Sequence, residues 1–460
     1  MTSEILLQRL ANNRNFYNTG QTRSYEFRLK QLKALKAIIL KYENEISEAL
    51  YTDLKKSPEE AYATETGLVL ATLNTTIRNL HSWMKPRSSG TDLVNIPSSG
   101  KIYRDSLGVV LIIAPWNYPL QLLLIPLVGA IAGGNCAVLK PSEIAPATAA
   151  VSEKIINEVF SLDYVQLVQG NGAEVIPQMM NQFRFDHVLY TGSVMVGKII
   201  YQLAAKDLVP VTLELGGKSP AVVEADANLQ VAARRIVLGK FTNAGQTCIA
   251  PDYILVHDSV KDKLTQYLQD SIYELYSKNP VESYDYGKII NEKRFDKLIS
   301  YFNEGNIIAG GQQDRAKLFI APTLMDNVGK DAAVMREEIF GPILPILSFH
   351  DFEEAVDIIQ QNPNPLSFYL FTASTQKEAQ WINRISFGGG CVNNTAWHFT
   401  NHHMPFGGVG NSGIGTIHGK YTFDTFTRLK PVMKTPVWFD PRIKYPSFKG
   451  KLKLFKMLIR

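Results

Sequence analysis

Val109-Val110-Leu111-Ile112-Ile113, then Pro115-Trp116-Asn117-Tyr118-Pro119, then Cys136-Ala137-Val138-Leu139 is the stretch of this 460-residue chain whose reading decides the fold. The first and third runs are short and wholly apolar, and the first is rich in β-branched residues, as strands covered on both faces require. Between them the apolar stretch Leu107 to Leu139 is interrupted by Pro115, Pro119, Pro126, Gly129, Gly133 and Gly134. A membrane-spanning helix needs about 20 predominantly apolar residues in one unbroken run, so strand, loop and buried helix is the better reading.

Working outward, Thr148 to Phe160 reads as a helix, and Val165 to Val168 and His187 to Tyr190 repeat the apolar run. Strands alternating with helices imply a parallel, doubly wound sheet of the nucleotide-binding type. A second alternating series runs through Ala221 to Val223, Tyr253 to Val256, Ile343 to Phe349 and Tyr369 to Thr372. The first 85 residues read as helices, with Leu29, Leu32, Leu35 and Ile39 at helical spacing and breaks at Ser57-Pro58 and Lys85-Pro86. The fold class is therefore α/β with two doubly wound parallel-sheet domains. One comprises 1–85 and 106–213, the other 214–420. Segments 86–105 and 421–440 form bridging or oligomerisation strands, and 441–460 is a basic tail. A seam near Leu213 to Lys218 sets a ligand pocket between the domains.

Three cysteines, Cys136, Cys248 and Cys391, are too few and too odd in number for a disulfide framework, which fits a reducing cytoplasm. Met1 to Leu10 carries Glu4 and Arg9 without a long apolar run, unlike a secretory signal. Charge is concentrated: Arg428 to Arg460 carries +9 against +5 for the whole chain. The basic balance belongs to the tail, and the body is mildly acidic. Net charge is thus no argument for a nucleic-acid partner.

Several short motifs can carry chemistry. Cys248, in Asn243-Ala244-Gly245-Gln246-Thr247-Cys248, follows a glycine that permits close backbone approach; its small, polar neighbours suggest a loop or helix start where thiolate is favoured. A lone cysteine is more often a small buried hydrophobe, and this reading stays open for all three. Glu214 lies between Leu213 and Leu215, before Gly216-Gly217, as a poorly solvated base or a strand-edge carboxylate. Gly192-Ser193-Val194-Met195-Val196-Gly197 places two glycines between a strand and a helix, offering a tight turn and free N–H groups to a pyrophosphate. It is not the three-glycine dinucleotide fingerprint. Lys140 and Glu143, at a strand's carboxyl end, suit ribose or phosphate contacts, or simply a helix start. Asn117, between two prolines, can donate to an oxyanion or merely sit in a turn.

In order along the chain, Pro115-Trp116-Asn117-Tyr118-Pro119, Lys140-Pro141-Ser142-Glu143, Glu214-Leu215-Gly216-Gly217-Lys218, Gly245-Gln246-Thr247-Cys248 and Glu337-Glu338-Ile339-Phe340-Gly341-Pro342 resemble the aldehyde dehydrogenase superfamily over nearly the whole length. Pro405 to Gly413, with His418-Gly419-Lys420-Tyr421, resembles its class 3 branch. The resemblance implies a Rossmann-like cofactor domain and a catalytic domain. It implies Cys248 as nucleophile, Glu214 as general base and Asn117 as oxyanion donor. It also implies cofactor contacts at Trp116, Lys140, Glu143, Gly192 to Gly197 (with Ser193, Val194, Met195 and Val196 between), Leu215, Glu338 and Phe340. The implied reaction is oxidation of medium- or long-chain aliphatic or aromatic aldehydes to acids through a Cys248 thioester. It further implies a homodimer that takes NAD, with NADP left open because the branch accepts both. Glu143 would repel a 2′-phosphate, which puts NAD first.

Two other functions remain to be weighed: a catalytically silent binding or structural protein on the same scaffold, and a coenzyme A-acylating dehydrogenase. Retention of Cys248 and Glu214 speaks against both. Lys449 to Arg460 reads as a basic amphipathic helix, suited to peripheral contact with an anionic membrane or to packing on the protein itself. His398, His402 and His403 invite a metal reading, but the implied reaction needs no metal, and Asn401 and Pro405 suggest a loop.

Overall fold

The computed structural model describes residues 3–459. Helices Ser3–Asn18, Tyr25–Lys41, Glu43–Leu54 and Gly67–Met84 fill the amino-terminal region. Their register follows the leucine spacing: Leu32, Leu35 and Ile39 are buried while Lys30 and Lys33 are exposed. Ser57 caps the helix opening at Pro58, its side chain accepting from the Glu60 N–H, so the Ser-Pro break is a helix start. Directly after it, Tyr62–Thr66 forms a π-helical turn that no sequence pattern announced.

The quoted stretch forms the middle of a six-stranded sheet. Its order is Gly413–Ile414, Val211–Glu214, His187–Thr191, Val109–Ile113, Cys136–Lys140 and Val165–Leu167. The last five are parallel, and Gly413–Ile414 is antiparallel to Val211–Glu214. Every residue of Val109–Ile113, Cys136–Lys140 and His187–Thr191 is buried, which is why these strands read as unbroken apolar runs. From Val109–Ile113 the chain steps outward to one side, then returns with His187–Thr191 on the other. The sheet's switch point therefore lies between these two strands, and open α/β sheets bind ligands at the carboxyl ends of such strands. The Trp116-Asn117 loop leaves one of them and the Gly192 turn leaves the other.

A seven-stranded sheet follows, ordered Asn306–Ala309, Thr323–Asp326, Ile343–Phe349, Tyr253–His257, Pro220–Val223, Ser367–Phe371 and Gly389–Val392. It is parallel apart from its Asn306–Ala309 edge. Each sheet has its own core, the second one containing the buried Trp381. Arg87–Ser89, Ser99–Ser106 and Thr427–Lys434 form a separate antiparallel sheet, drawn from the two segments read as bridging or oligomerisation strands.

One assignment needs correction. Gly413–Ile414 belongs to the first sheet, and Phe406, Ile417, Phe423 and Phe426 pack into the first core, although the division at 213/214 gave 406–420 to the second domain and 421–440 to the bridging strands. The chain crosses back after its second sheet, and a linear cut cannot represent that return. The tail helix is also shorter than its sequence pattern suggests: Leu452–Leu458, preceded by a Phe448–Phe455 ring contact of 5.6 Å. Lys449 thus stands outside the helix, and Arg460 lies outside the described residues.

Candidate active site

Phe241 ends a helix, and the turn Thr242–Gly245 that follows brings Cys248 to a cavity between the sheets. Asn243 and Ala244 hold left-handed conformations at φ 53° and 51°, unusual for residues with a Cβ and characteristic of functional loops. Gly245 is there for space and conformation together: its φ is +74°, and a Cβ would lie 2.3 Å from the Gly341 carbonyl. Asn117 meets this turn from the first sheet. Its Nδ2 donates to the Gln246 carbonyl at 3.0 Å, and its own carbonyl accepts from Asn243 Nδ2 at 2.9 Å. Tyr118 Oη lies 2.7 Å from Thr247 Oγ1.

Glu214, at the carboxyl end of Val211–Glu214, is 3% exposed, and both its carboxyl oxygens lack a hydrogen-bond partner. Burial alone raises its pKa well above the carboxylate range. Cys248 and Glu214 line the same cavity. Burial pushes the Cys248 thiol up to about 12, and the carboxyls of Glu338 and Glu214 add to the rise. Cys248 lies in a turn, within the loop or helix start that its neighbours suggest, but burial and then the two carboxyl groups outweigh the Cys248 and Ile249 N–H groups that favour the thiolate. The geometry instead makes Glu214 and Cys248 compete for one negative charge.

The Glu338 segment packs beside Gly216, just beyond Glu214. A Cβ on Gly216 would lie 1.9 Å from Glu338 Oε2, so the carboxyl packs directly against the glycine two residues beyond Glu214. Burial, then the Asp252 carboxylate, pushes Glu338 up to about 8. Phe340, with φ 49°, meets the Trp116 ring edge-on at 5.2 Å. Asp252 fixes the segment by accepting from the Ile339 N–H at 3.0 Å and pairing with Lys218 at 2.5 Å. Lys218 also donates to the carbonyls of Val334 and Glu337. Sequence inspection missed this support, since neither Asp252 nor Lys218 differs in type from a surface charge.

On the first sheet, Ser193 caps the helix Val194–Ala205, and its Oγ accepts from the Val196 N–H. Gly192 and Gly197 have no room for a Cβ, which would lie 2.3 Å from Tyr190 Oη and 2.7 Å from Leu215 Cδ2 respectively. Lys140 is buried and donates to Glu143 at 2.9 Å, while Glu143 accepts from Gly172 N at 3.0 Å. Partial burial of Glu143 raises its pKa, but the Gly172 N–H and Lys140 outweigh that and hold the carboxyl below the usual range. A capped helix N-terminus, two glycines where a Cβ has no room, and a lysine–carboxylate pair at a strand's carboxyl end fit a nicotinamide dinucleotide.

The cavity measures about 610 Å³ and is walled largely by apolar groups, among them Leu68, Leu122, Leu238, Phe399, Phe406 and Ile417. They are far apart in sequence: Leu68 stands on an amino-terminal helix, Leu122 and Leu238 on the helices Gln121–Gly133 and Leu229–Phe241, and Phe399, Phe406 and Ile417 on late segments, and only Phe406 lies in a motif singled out from sequence. The histidines do not converge on a metal site. His398 stacks on Phe406 and approaches Cys391 Sγ at 3.6 Å, and His402 stacks on His418. No group of three or more metal-ligating side chains occurs among the described residues.

An α/β protein of two mostly parallel sheets, with a thiol and an unpartnered carboxyl group on one apolar-walled cavity, is the class that this fold and these groups define. The family model for the aldehyde dehydrogenase family matches residues 11–432, and the chain belongs to that family. The chain is 47% identical over 458 residues, 99% of each chain, to the 4,4'-diaponeurosporen-aldehyde dehydrogenase of Staphylococcus aureus. It is 43% identical over 430 residues to aldehyde dehydrogenase family 3 member A2 of Rattus norvegicus, covering 94% of this chain and 88% of that one. Among solved structures, the substrate-bound state of Staphylococcus aureus AldH matches at a TM-score of 0.97 and 47% identity, covering 98% and 99% of the two chains. The NADP complex of glyceraldehyde-3-phosphate dehydrogenase GapN from Methanocaldococcus jannaschii matches at 0.86 and 26% identity, covering 95% of both. The similarity to family 3 members supports the class 3 branch. The chain is an enzyme that oxidises aldehydes to acids with NAD(P) as its cofactor.

Proposed function

We propose that Cys248 attacks the aldehyde, that Asn117 stabilises the oxyanion and that Glu214 is the general base. The observation that carries this reading is the shared cavity, which brings a buried carboxyl group that has no hydrogen-bond partner and a half-buried thiol to one apolar-walled space. Glu214 takes the thiol proton as sulfur bonds to the carbonyl carbon, which resolves their competition for charge. The oxyanion forms beside Asn117 Nδ2 and the Cys248 N–H. NAD(P), when bound, would supply the hydride acceptor, and loss of hydride from the carbon would leave a thioester on Cys248. Glu214, having shed the first proton, takes one from water; hydroxide attacks, the C–S bond breaks, and the acid leaves. Glu338, Phe340, Trp116, Lys140, Glu143, Leu215 and Gly192 to Gly197 hold the cofactor. The ionised Glu143 favours NAD over NADP by repelling a 2′-phosphate. Incubation with NAD and a medium-chain aldehyde, without coenzyme A, tests the reading. Steady NADH formation is expected, and its absence from folded protein would sink it.

The substrate is a medium- or long-chain aldehyde, aliphatic or aromatic. A cavity of about 610 Å³ with apolar walls is far larger than a two-carbon aldehyde fills. The strand Thr427–Lys434, exposed at seven of its eight residues, leaves a long sheet edge that supports a homodimer. Free thiols at Cys136, Cys248 and Cys391 support a cytoplasmic enzyme. Among the described residues no helix is long and apolar enough to cross a membrane. The tail exposes Phe448, Leu452, Met457 and Ile459 beside Lys449, Lys451, Lys453 and Lys456, which supports peripheral contact with an anionic lipid surface.

A further inference from the structure

Behind the cavity, Lys56 and Glu65 form an ion pair at 2.6 Å, with both side chains completely shielded from solvent. Burying two charges brings little stability compared with a well-packed apolar pair, so the pair calls for another role. Each ion spends its remaining hydrogen-bonding capacity on one loop. Lys56 Nζ donates to the Asn117 carbonyl at 3.2 Å and stands 4.0 Å from the centre of the Tyr118 ring. Glu65 Oε2 accepts from the N–H groups of Leu120 and Gln121, both at 3.0 Å. The π-helical turn Tyr62–Thr66 carries Glu65, and such turns occur frequently at functional sites because the extra residue re-aims a side chain. Ser57 and Thr64, neighbours of the two ions in sequence, line the cavity while the pair grips the loop from behind. On the opposite side Asn243 Nδ2 donates to the same Asn117 carbonyl.

We infer that the Lys56–Glu65 pair is a positioning device that sets the Asn117 amide against the reacting carbonyl. The inference rests on the reading of Asn117 as oxyanion donor. Neither ion touches the substrate; both act through the backbone between Asn117 and Gln121.

A mutant cycle with Asn117 tests it. Lys56→Met leaves Glu65 buried without its counter-ion, so the variants used are Glu65→Gln and the charge-free double variant Lys56→Met/Glu65→Gln, each made in wild-type and Asn117→Ala backgrounds. In the wild-type background the double variant should lose up to about 100-fold in kcat, as displacement by an ångström does, with NAD affinity by fluorescence and aldehyde KM little changed. In the Asn117→Ala background the same change should cost less than about twofold, because the group being positioned is gone. Equal factors in both backgrounds, or an undiminished kcat, would overturn the inference and leave the oxyanion reading intact. An Asn117→Ala enzyme with full kcat would instead overturn the oxyanion reading, and the inference with it. If the double variant does not fold, Glu65→Gln alone decides, through the same comparison of factors.

Discussion

The carboxyl of Glu338 lies directly against Gly216, where an added Cβ would be 1.9 Å from Oε2. Residues more than a hundred positions apart are thus fitted to each other at the seam between the sheets, and Gly216 is required as an absence of atoms. Gly216→Ala should push Glu338 off its position without exposing new apolar surface. The expected outcome is a rise of roughly tenfold in KM for NAD with a Tm close to wild type, read by initial rates and thermal unfolding. An unchanged KM would show that Glu338 does not set cofactor placement.

Asn117→Ala removes the side-chain donor beside Cys248. Loss of one oxyanion donor costs about 100- to 1,000-fold in kcat. NAD binding, followed by fluorescence, should stay within about twofold, because Asn117 Nδ2 bonds to the Gln246 carbonyl and not to a cofactor-loop residue.

Glu214→Gln should keep a single burst of NADH and lose steady turnover, since acylation can recruit other proton acceptors while thioester hydrolysis needs an activated water. A general base works only when unprotonated. Because burial raises the Glu214 pKa, the acid limb of the wild-type kcat profile should stand at higher pH than for an ordinary carboxylate. Stability has the same sign. The folded pKa lies above the unfolded one, so the contribution from the neutral buried form is complete below the unfolded pKa and is lost as pH rises through the folded value. Glu214→Gln should therefore gain in Tm relative to wild type as pH is raised. A Tm difference independent of pH would contradict the assignment.

Across a straight-chain aldehyde series, kcat/KM should climb with length and then level off once the cavity is full. At about 0.8 kcal/mol per buried methylene, the climb is about fourfold per carbon. A maximum at acetaldehyde would refute the apolar-substrate reading.

Truncation after Lys444 should abolish sedimentation with anionic vesicles and leave turnover of a short aldehyde unchanged, because the removed residues line no part of the cavity. Retained vesicle binding would dismiss the tail as the membrane contact.

Most of the parallel strands were legible because both their faces are buried, which writes an unbroken apolar run such as Val109 to Ile113 into the sequence; the short Thr323–Asp326, polar at both ends, was not. The strands Gly389–Val392 and Gly413–Ile414 were not legible, being glycine-rich, and Asn306–Ala309 was not because it is half exposed. Cys248, Glu214, Asn117 and Glu338 stood out through the ordered company of their motifs, which is a property of the chain read end to end. Their electrostatic state did not. The thiol's upward shift depends first on burial by the fold, and then on the carboxyls of Glu338 and Glu214, delivered to it from other segments.

The sequence by itself therefore determined the α/β class, the order of the motifs and the family, since those depend on local periodicity and residue type. Only the tertiary structure decided which charges face one another. It turned Lys56 and Glu65 into a buried pair behind Asn117, returned Gly413–Ile414 to the first sheet, and enclosed an apolar cavity with residues from distant segments. Pairing and exclusion of water are long-range contacts, and no local pattern encodes which distant residue a side chain will meet.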